Sequence, residues 1–134
     1  HLRTRRQRQM CIRDRVINIL SGASNHPRKG WSSYCASKAA FHMITKQVNL
    51  EGKESGIKCF GFSPGLVKTK MQMKIRKSKI NEISFLPENN MIDPIEPAKC
   101  ILSSASGKFD NFDRDFLDIR DKIFKKIISQ GIFQ

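Results

Sequence analysis

Apolar residues dominate two short stretches of the chain, and both have the length of a buried strand. The first is VINIL at 16–20, where Asn18 is the polar exception in a run rich in β-branched side chains. Such a run is typical of a central parallel strand that is covered on both faces. IKCFGF at 57–62 has the same character and predicts the next parallel strand.

Between these strands the apolar positions repeat with helical spacing. The pattern predicts a helix from Ser32 or Ser33, either of which is a suitable N-cap, to about Glu54, and Gly56 ends the segment. The predicted packed face consists of Ala36, Ala40, Met43, Ile44 and Val48. Strand, helix and strand together make a βαβ unit with a right-handed crossover, so the predicted fold class is α/β.

The second half of the chain predicts four shorter elements. The four elements are a basic amphipathic helix at 71–79, a helix within 93–105, a strand at 112–121 centred on 116–119, and a short amphipathic helix at 122–134. A loop at 80–93 connects the first two. The first of these helices offers Met71, Met73 and Ile75 as candidate lid contacts. The second is expected to pack on the sheet through Ala98, Ile101 and Leu102.

Residues 1–15 show neither helical nor strand periodicity, and they hold six arginines and one aspartate. We expect them to be a non-native or disordered basic head, with the fold beginning at Val16. The whole chain carries 25 basic and 12 acidic residues, a net charge of +13, which raises nucleic acid as a partner. Because much of the excess lies in this head, we expect no nucleic-acid partner.

Signals for a membrane, for secretion and for a metal site are weak. No apolar run approaches the length of a membrane span, and no apolar stretch follows the arginine-rich start as it would in a secretory signal. Cys11, Cys35, Cys59 and Cys100 share no CxxC spacing. We therefore expect reduced thiols, no metal site, no membrane partner and a cytoplasmic location.

The candidate chemistry lies between the two strands. Ser21 follows the first strand at its carboxyl end, where open α/β sheets place their reactive groups. Tyr34 and Lys38 stand four residues apart, so both side chains project from one face of the predicted helix. The loop from Ser21 to Trp31 is punctuated by glycine and proline and is expected to border a substrate pocket, with Trp31 as a wall or packing residue.

A tyrosine and a lysine four residues apart occur by chance in many helices, but here they belong to an ordered set. VINILS precedes them, YCASKAA contains them, and SPGLVKT follows the next strand. This combination resembles the short-chain dehydrogenase/reductase family. Four stretches resemble its sepiapterin reductase and benzil reductase branch: S-G-A-S, G-W-S-S-Y-C-A-S-K-A-A, P-G-L-V-K-T-K-M-Q and F-L-D-I-R-D.

The resemblance covers residues 16–121 and implies the C-terminal part of a Rossmann-like, doubly wound parallel sheet, with the N-terminal half missing. It implies an NAD(P)H-dependent oxidoreductase that reduces a small-molecule ketone, dicarbonyl or pterin side-chain carbonyl by hydride transfer, and favours NADP(H) over NAD(H). Tyr34 would be the acid–base group, Lys38 would lower its pKa and bind the ribose, and Ser21 would polarise the carbonyl.

The resemblance also implies contacts outside this catalytic set. Pro64 and Gly65 would pass under the nicotinamide ring, and Val67 and Thr69 would contact its carboxamide. Asp118 matches the aspartate that anchors a pterin. The intact family forms homo-oligomers through the tyrosine-bearing helix.

One motif of the family is absent from the sequence. No T-G-x-x-x-G-x-G turn, which holds the cofactor pyrophosphate at a helix N-terminus, occurs in the 134 residues. We therefore expect a truncated chain that binds dinucleotide poorly and is inactive alone. Two alternatives to the enzyme stay open: a non-catalytic remnant that only pairs with other subunits, and a basic nucleic-acid-binding module.

Overall fold

The computed structural model describes residues 14–130 and shows an α/β fold built on three parallel strands. The strands are β1 (Arg15–Ile19), β2 (Lys58–Ser63) and β3 (Phe116–Asp118), and they lie side by side in that order. The predicted fold class and all three predicted strands are confirmed. The expectation for the basic head concerns mostly residues 1–13, which lie outside the described residues.

Four helices and four short 3₁₀ turns connect and cover these strands within the described part of the chain. The helices are α1 (Ser32–Gly52), α2 (Lys70–Ser78), α3 (Ile95–Ala105) and α4 (Lys122–Gln130). The 3₁₀ turns are Gly22–Ser24, Lys53–Ser55, Glu82–Phe85 and Glu88–Asn90. No helix between residues 14 and 130 is long and apolar enough to cross a membrane.

β2, not β1, is the fully covered strand. Cys59, Phe60 and Phe62 are inaccessible to solvent, whereas Val16 and Ile19 of β1 are 39% and 40% exposed. Among residues 14–130, β1 pairs only with β2, so it forms an edge of the described sheet. The predicted burial of β1 on both faces was therefore wrong for these two side chains.

β1 also begins one residue before the predicted start of the fold. Arg15 is its first residue and lies opposite Lys58. Its guanidinium donates to both carboxylate oxygens of Asp110, with Nε 2.8 Å from Oδ1 and Nη2 2.5 Å from Oδ2. This two-point ion pair ties the start of the strand to the segment after α3.

The packed face of α1 differs from the apolar stripe predicted for it. Ala36, Ala40, Met43 and Ile44 are exposed, and only Val48 of the predicted set is partly buried. The helix instead buries Thr45, whose Oγ1 accepts from Asn18 Nδ2 at 3.0 Å. A face built from hydrogen-bonded polar groups carries no apolar periodicity, which explains the error.

Asn49 completes this polar face. Its Oδ1 accepts from the Cys59 backbone N–H and its Nδ2 donates to the Cys59 carbonyl, both at 2.7 Å. β3 is short and pairs with β2 only from Gly61 onward, so Asn49 acts on Cys59 as a strand partner would. The side-chain amide thereby satisfies two buried backbone groups of the central strand.

The start of α1 also differs from the prediction. Neither Ser32 nor Ser33 is the N-cap, because Trp31 occupies that position and makes no side-chain capping bond. The first helical hydrogen bond runs from Cys35 N to the Trp31 carbonyl at 2.8 Å. The position of this helix end therefore depends on the backbone turn before it.

The hydrophobic core lies on the opposite face of the sheet and includes the C-terminal helix. It consists of Phe60, Phe62, Cys100, Phe109, Leu117, Ile119 and Phe124. Phe124 of α4 packs edge-to-face on Phe62 and Phe109, with ring centroids 5.4 and 5.2 Å apart. The predicted amphipathic helix is thus part of the core.

α3 covers the same core through a different face from the one predicted. Ala98 and Leu102 are exposed, while Ile101 packs against the core as expected. The buried positions are Pro97, Cys100, Ser103 and Ser104. Small side chains at these positions let the helix approach the sheet closely. The two serines are polar, so a prediction from apolar periodicity does not include them.

Candidate active site

The end of β1 places Ser21 at the carboxyl edge of the sheet, as the sequence predicts. Ser21 is the N-cap of the 3₁₀ turn Gly22–Ser24, and its Oγ accepts from Ala23 N at 3.2 Å. Ser24 Oγ accepts in return from Ser21 N at 3.4 Å. Since these bonds use the serine oxygen as an acceptor, its hydroxyl proton is left to donate elsewhere.

Lys38 reaches the same strand end from α1. Its Nζ donates to the carbonyl of Ile19 at 2.8 Å, two residues before Ser21. The same Nζ lies 5.8 Å from the ring centroid of Tyr34. Lys38 therefore connects the helix that carries Tyr34 to the strand that carries Ser21, and two of its three N–H donors remain for a ligand.

Tyr34 lies in the first turns of α1 and is partly buried. The ring of Trp31 packs on it edge-to-face, with centroids 5.4 Å apart and ring planes at 79°. The Trp31 ring and the Lys38 ammonium thus both lie beside the tyrosine ring. A cation near a phenol stabilises negative charge that develops on the phenol oxygen.

The predicted Pro64–Gly65 turn follows β2 directly, so it lies beside Ser21 at the same edge. Gly65 has φ +73°, and a Cβ there would lie 3.1 Å from Ile119 Cγ2. Glycine thus permits both the backbone conformation and the close approach to the residue after β3.

Val67 and Thr69 lie in the segment after this turn. Val67 bridges to Ile92, with Lys68 N donating to the Ile92 carbonyl at 3.0 Å. Thr69 is the N-cap of α2, and its Oγ1 accepts from Gln72 N at 3.4 Å. As at Ser21, the threonine hydroxyl proton remains available to a ligand.

Asp118 ends β3 at the same edge, but its carboxylate is already paired. Arg120 donates from Nε to Oδ1 at 2.7 Å and from Nη2 to Oδ2 at 2.8 Å. Burial alone raises the pKa of Asp118, but hydrogen bonds from Arg120 and Ser63 outweigh burial and hold that pKa below its usual value. A substrate amine at this position would have to displace the guanidinium.

The loop after Ser21 contacts the segment after α2, which the sequence does not predict. Arg28 forms an ion pair with Glu82, and Asn81 Nδ2 donates to the Lys29 carbonyl at 3.0 Å. These residues are more than fifty positions apart, so neither periodicity nor spacing predicts the contact. Asn81 lies between Ile80 and Glu82, so no local pattern in the sequence marks this amide as buried.

A wide groove of about 570 Å³ lies at the other edge of the sheet. It is lined by Lys46, Asn49, Lys53, Ile57, Lys58, Asp113, Arg114, Asp115 and Phe116, and Lys58 and Phe116 are the first residues of β2 and β3. We place the candidate site at the carboxyl edge, because Ser21 lies there and the Lys38 ammonium is bonded to the same strand end.

The parallel sheet and the polar side chains at its carboxyl edge define a Rossmann-type α/β protein. The family model described as short chain dehydrogenase matches residues 8–80, more than half of the chain. The chain belongs to the short chain dehydrogenase family, and its relatives include benzil reductases and a sepiapterin reductase.

Three curated relatives show the extent of the sequence similarity. Benzil reductase ((S)-benzoin forming) of Bacillus subtilis is 46% identical over 65 residues, covering 47% of this chain and 27% of the relative. The enzyme of the same name from Bacillus cereus is 38% identical over 96 residues, covering 65% and 39%. Sepiapterin reductase of Rattus norvegicus is 35% identical over 66 residues, covering 49% and 24%.

Solved structures agree in fold. A short chain dehydrogenase/reductase of Saccharomyces cerevisiae matches with a TM-score of 0.65 at 25% identity, covering 84% of this chain and 48% of that one. 4-Hydroxyisoleucine dehydrogenase complexed with NADH matches at 0.59 and 24%, covering 87% and 48%. A Burkholderia cenocepacia short chain dehydrogenase in complex with NADP matches at 0.58 and 20%, covering 86% and 41%. The chain thus spans less than half of the length of each of these proteins.

Proposed function

We propose that this chain carries the acid–base centre of an NAD(P)H-dependent carbonyl reductase. The observation that carries the proposal is the position of Lys38, which is bonded to the Ile19 carbonyl beside Ser21 and lies 5.8 Å from the Tyr34 ring. This one side chain brings together the strand end and the helix face on which the chemistry depends.

The three residues have different roles. Ser21 donates its free hydroxyl proton to the substrate carbonyl oxygen and polarises it. Tyr34 transfers its phenolic proton to that oxygen as the carbonyl carbon is reduced. The ammonium of Lys38 stabilises the phenolate that Tyr34 becomes, and its remaining donors bind the ribose. The reduced nicotinamide of a dinucleotide, when bound, would supply the hydride for the carbonyl carbon.

The residues after β2 fit the nicotinamide end of a dinucleotide. Gly65 presents backbone without a side chain at the turn, and Thr69 keeps a hydroxyl donor for a carboxamide oxygen. We propose that Pro64, Gly65, Val67 and Thr69 line this half of the cofactor site, and that the cofactor is NADP(H) rather than NAD(H). The benzil and sepiapterin reductase relatives support the choice of branch.

The fit does not extend to the pyrophosphate. The 134 residues contain no T-G-x-x-x-G-x-G turn, and backbone amides of that turn are what hold this group. We therefore propose that the chain by itself binds the dinucleotide weakly and turns over no substrate. Titration of the full chain with NADPH and NADH tests this, and tight saturable binding would contradict it.

For the substrate we propose a vicinal dicarbonyl, as the names of the Bacillus relatives suggest. A pterin side-chain carbonyl is the second candidate, with Asp118 as its anchor. The ion pair with Arg120 favours the first, because a pterin amine must compete with a two-point guanidinium contact. The test uses the chimaera with Bacillus subtilis benzil reductase described below, because the chain alone is expected to be inactive. If Asp118→Asn in that chimaera weakens sepiapterin reduction and leaves benzil reduction unchanged, the pterin candidate stands.

The outer face of α1 is a candidate surface for pairing with another subunit. Ala36, Ala40, Met43, Ile44 and Leu50 are exposed there, and Leu50 is 74% exposed. We propose that this apolar stripe pairs with another copy of the chain, since a large exposed apolar patch indicates an interaction surface. Light scattering is expected to show a dimer that Ile44→Glu makes monomeric, and a wild-type monomer would refute it.

The reductase proposal is tested with a chimaera. Residues 14–134 replace the matching segment and all that follows it in Bacillus subtilis benzil reductase, so that the relative supplies the preceding part of the domain. We expect the chimaera to reduce benzil at the expense of NADPH and to use NADH less well. A folded chimaera that binds NADPH but reduces no carbonyl compound would overturn the proposal.

A further inference from the structure

We propose that residues Ile80, Asn81 and Glu82 act as a clamp that positions Tyr34 through Trp31. The inference rests on the proposed function in so far as it treats Tyr34 as the proton donor. None of the three clamp residues is placed in contact with Tyr34, so they are positioning residues rather than catalytic ones.

The clamp joins three consecutive residues to three others in reverse order. Glu82 pairs with Arg28, Asn81 Nδ2 donates to the Lys29 carbonyl at 3.0 Å, and Ile80 packs on Gly30. A Cβ at Gly30, which has φ +74°, would overlap the Ile80 side chain. The two segments therefore fit closely at every position, and the glycine is required by both conformation and space.

Asn81 is the centre of the clamp and is only 5% exposed. Its Oδ1 accepts from Ile83 N at 3.1 Å and caps the 3₁₀ turn Glu82–Phe85, while its Nδ2 makes the bond to Lys29. Both ends of the amide are thus used, one within its own segment and one across to the loop. Losing the second leaves a backbone carbonyl without this partner.

The loop that the clamp holds leads directly into the start of α1. Trp31 N donates to the Arg28 carbonyl at 3.1 Å, which closes the turn that the clamp holds. The Trp31 carbonyl accepts the first helical bond of α1, and its ring packs edge-to-face on Tyr34. Because no side chain caps α1, this turn is what fixes the start of the helix and the neighbouring tyrosine ring.

The sequence makes the test simple, since Trp31 and Tyr34 are the chain's only tryptophan and only tyrosine. The readout is the NMR cross-relaxation peak between the two rings in the full chain, which needs neither cofactor nor substrate. Asn81→Asp keeps the oxygen that caps Ile83 and removes the donor to Lys29. Asn90→Asp introduces the same change at an exposed position of the same connection and is the matched control.

The peak falls with the sixth power of distance. The relevant distance joins ring protons, which lie closer than the 5.4 Å between the ring centroids, so a displacement of about 1 Å, the scale at which catalysis is lost about 100-fold, weakens the peak at least about threefold. We expect this loss in Asn81→Asp and none in Asn90→Asp. An unchanged peak in Asn81→Asp would overturn the clamp, whatever the protein's activity.

Turnover by the benzil reductase chimaera separates the clamp from the proposed function. If Asn81→Asp lowers kcat with little change in KM while Asn90→Asp does not, positioning of Tyr34 is supported. If the ring peak weakens but kcat is unchanged in an active chimaera, the clamp only stabilises the loop and the positioning role is wrong. If the chimaera is folded and binds NADPH but no form of it reduces a carbonyl, the reductase proposal fails, and a weakened ring peak still supports the clamp.

Discussion

Phe124→Ala tests whether the C-terminal helix belongs to the domain. Phe124 is inaccessible to solvent, and its ring packs edge-to-face on both Phe62 and Phe109. Truncation of a buried phenylalanine to alanine costs about 3–5 kcal/mol, and each edge-to-face pair contributes about 0.5–1.5 kcal/mol beyond area burial. With two such pairs lost, we expect the upper part of that range.

The free energy of unfolding is measured by urea titration, followed through Trp31 fluorescence and far-ultraviolet circular dichroism. Since domains are stable by only about 5–15 kcal/mol, the variant is expected to lose a large fraction of its stability. Phe85→Ala is the control, because this side chain is 67% exposed and its loss should change stability by less than about 0.5 kcal/mol. A loss below about 1 kcal/mol in Phe124→Ala would refute the assignment of α4 to the core.

Three further predictions concern single side chains. Hydrogen bonds hold the pKa of Asp118 below its usual value. Its carboxylate therefore stabilises the fold above the unfolded pKa of about 3.9, and this stabilisation is lost as pH falls through the folded pKa. Asp118→Asn should flatten the acid side of a curve of unfolding free energy against pH. Burial, with a contribution from Glu96, raises the pKa of the Cys100 thiol to about 11, so iodoacetamide at pH about 8 should modify Cys35 well before Cys100 by mass spectrometry, and equal rates would contradict this. Asn49→Ala leaves two backbone groups of Cys59 without this partner and should cost about 1–3 kcal/mol for each, whereas Gln47→Ala on the exposed side of the same helix should cost little in the same urea titration.

The sequence predicts the elements of this fold well where a local signal exists. The two β-branched or aromatic runs became β1 and β2, Gly56 adopts the left-handed conformation that ends the helical region, and Pro64–Gly65 forms a strand-end turn. Ser21 also lies at the carboxyl end of β1 as predicted. These features depend on residues close in sequence, so conformational propensity and residue spacing predict them.

The errors share a physical cause. The packed side of α1 depends on Thr45 and Asn49, whose hydrogen-bonding partners lie on strands and cannot be read from helical periodicity. The apolar stripe instead lies on the outer face. The contact between 28–30 and 80–82 is likewise formed only by the folded chain, as is the packing of Phe124 in the core.

Tyr34 is proposed to supply the proton in carbonyl reduction. The most direct test is the single-turnover rate of benzil reduction by the chimaera and its Tyr34→Phe variant, with Lys46→Ala on the same helix as a control. We expect a loss of about 10²–10⁴-fold in Tyr34→Phe, the usual contribution of a general acid, with no loss in Lys46→Ala. A Tyr34→Phe variant that binds NADPH normally and reduces benzil at the unmodified rate would contradict it.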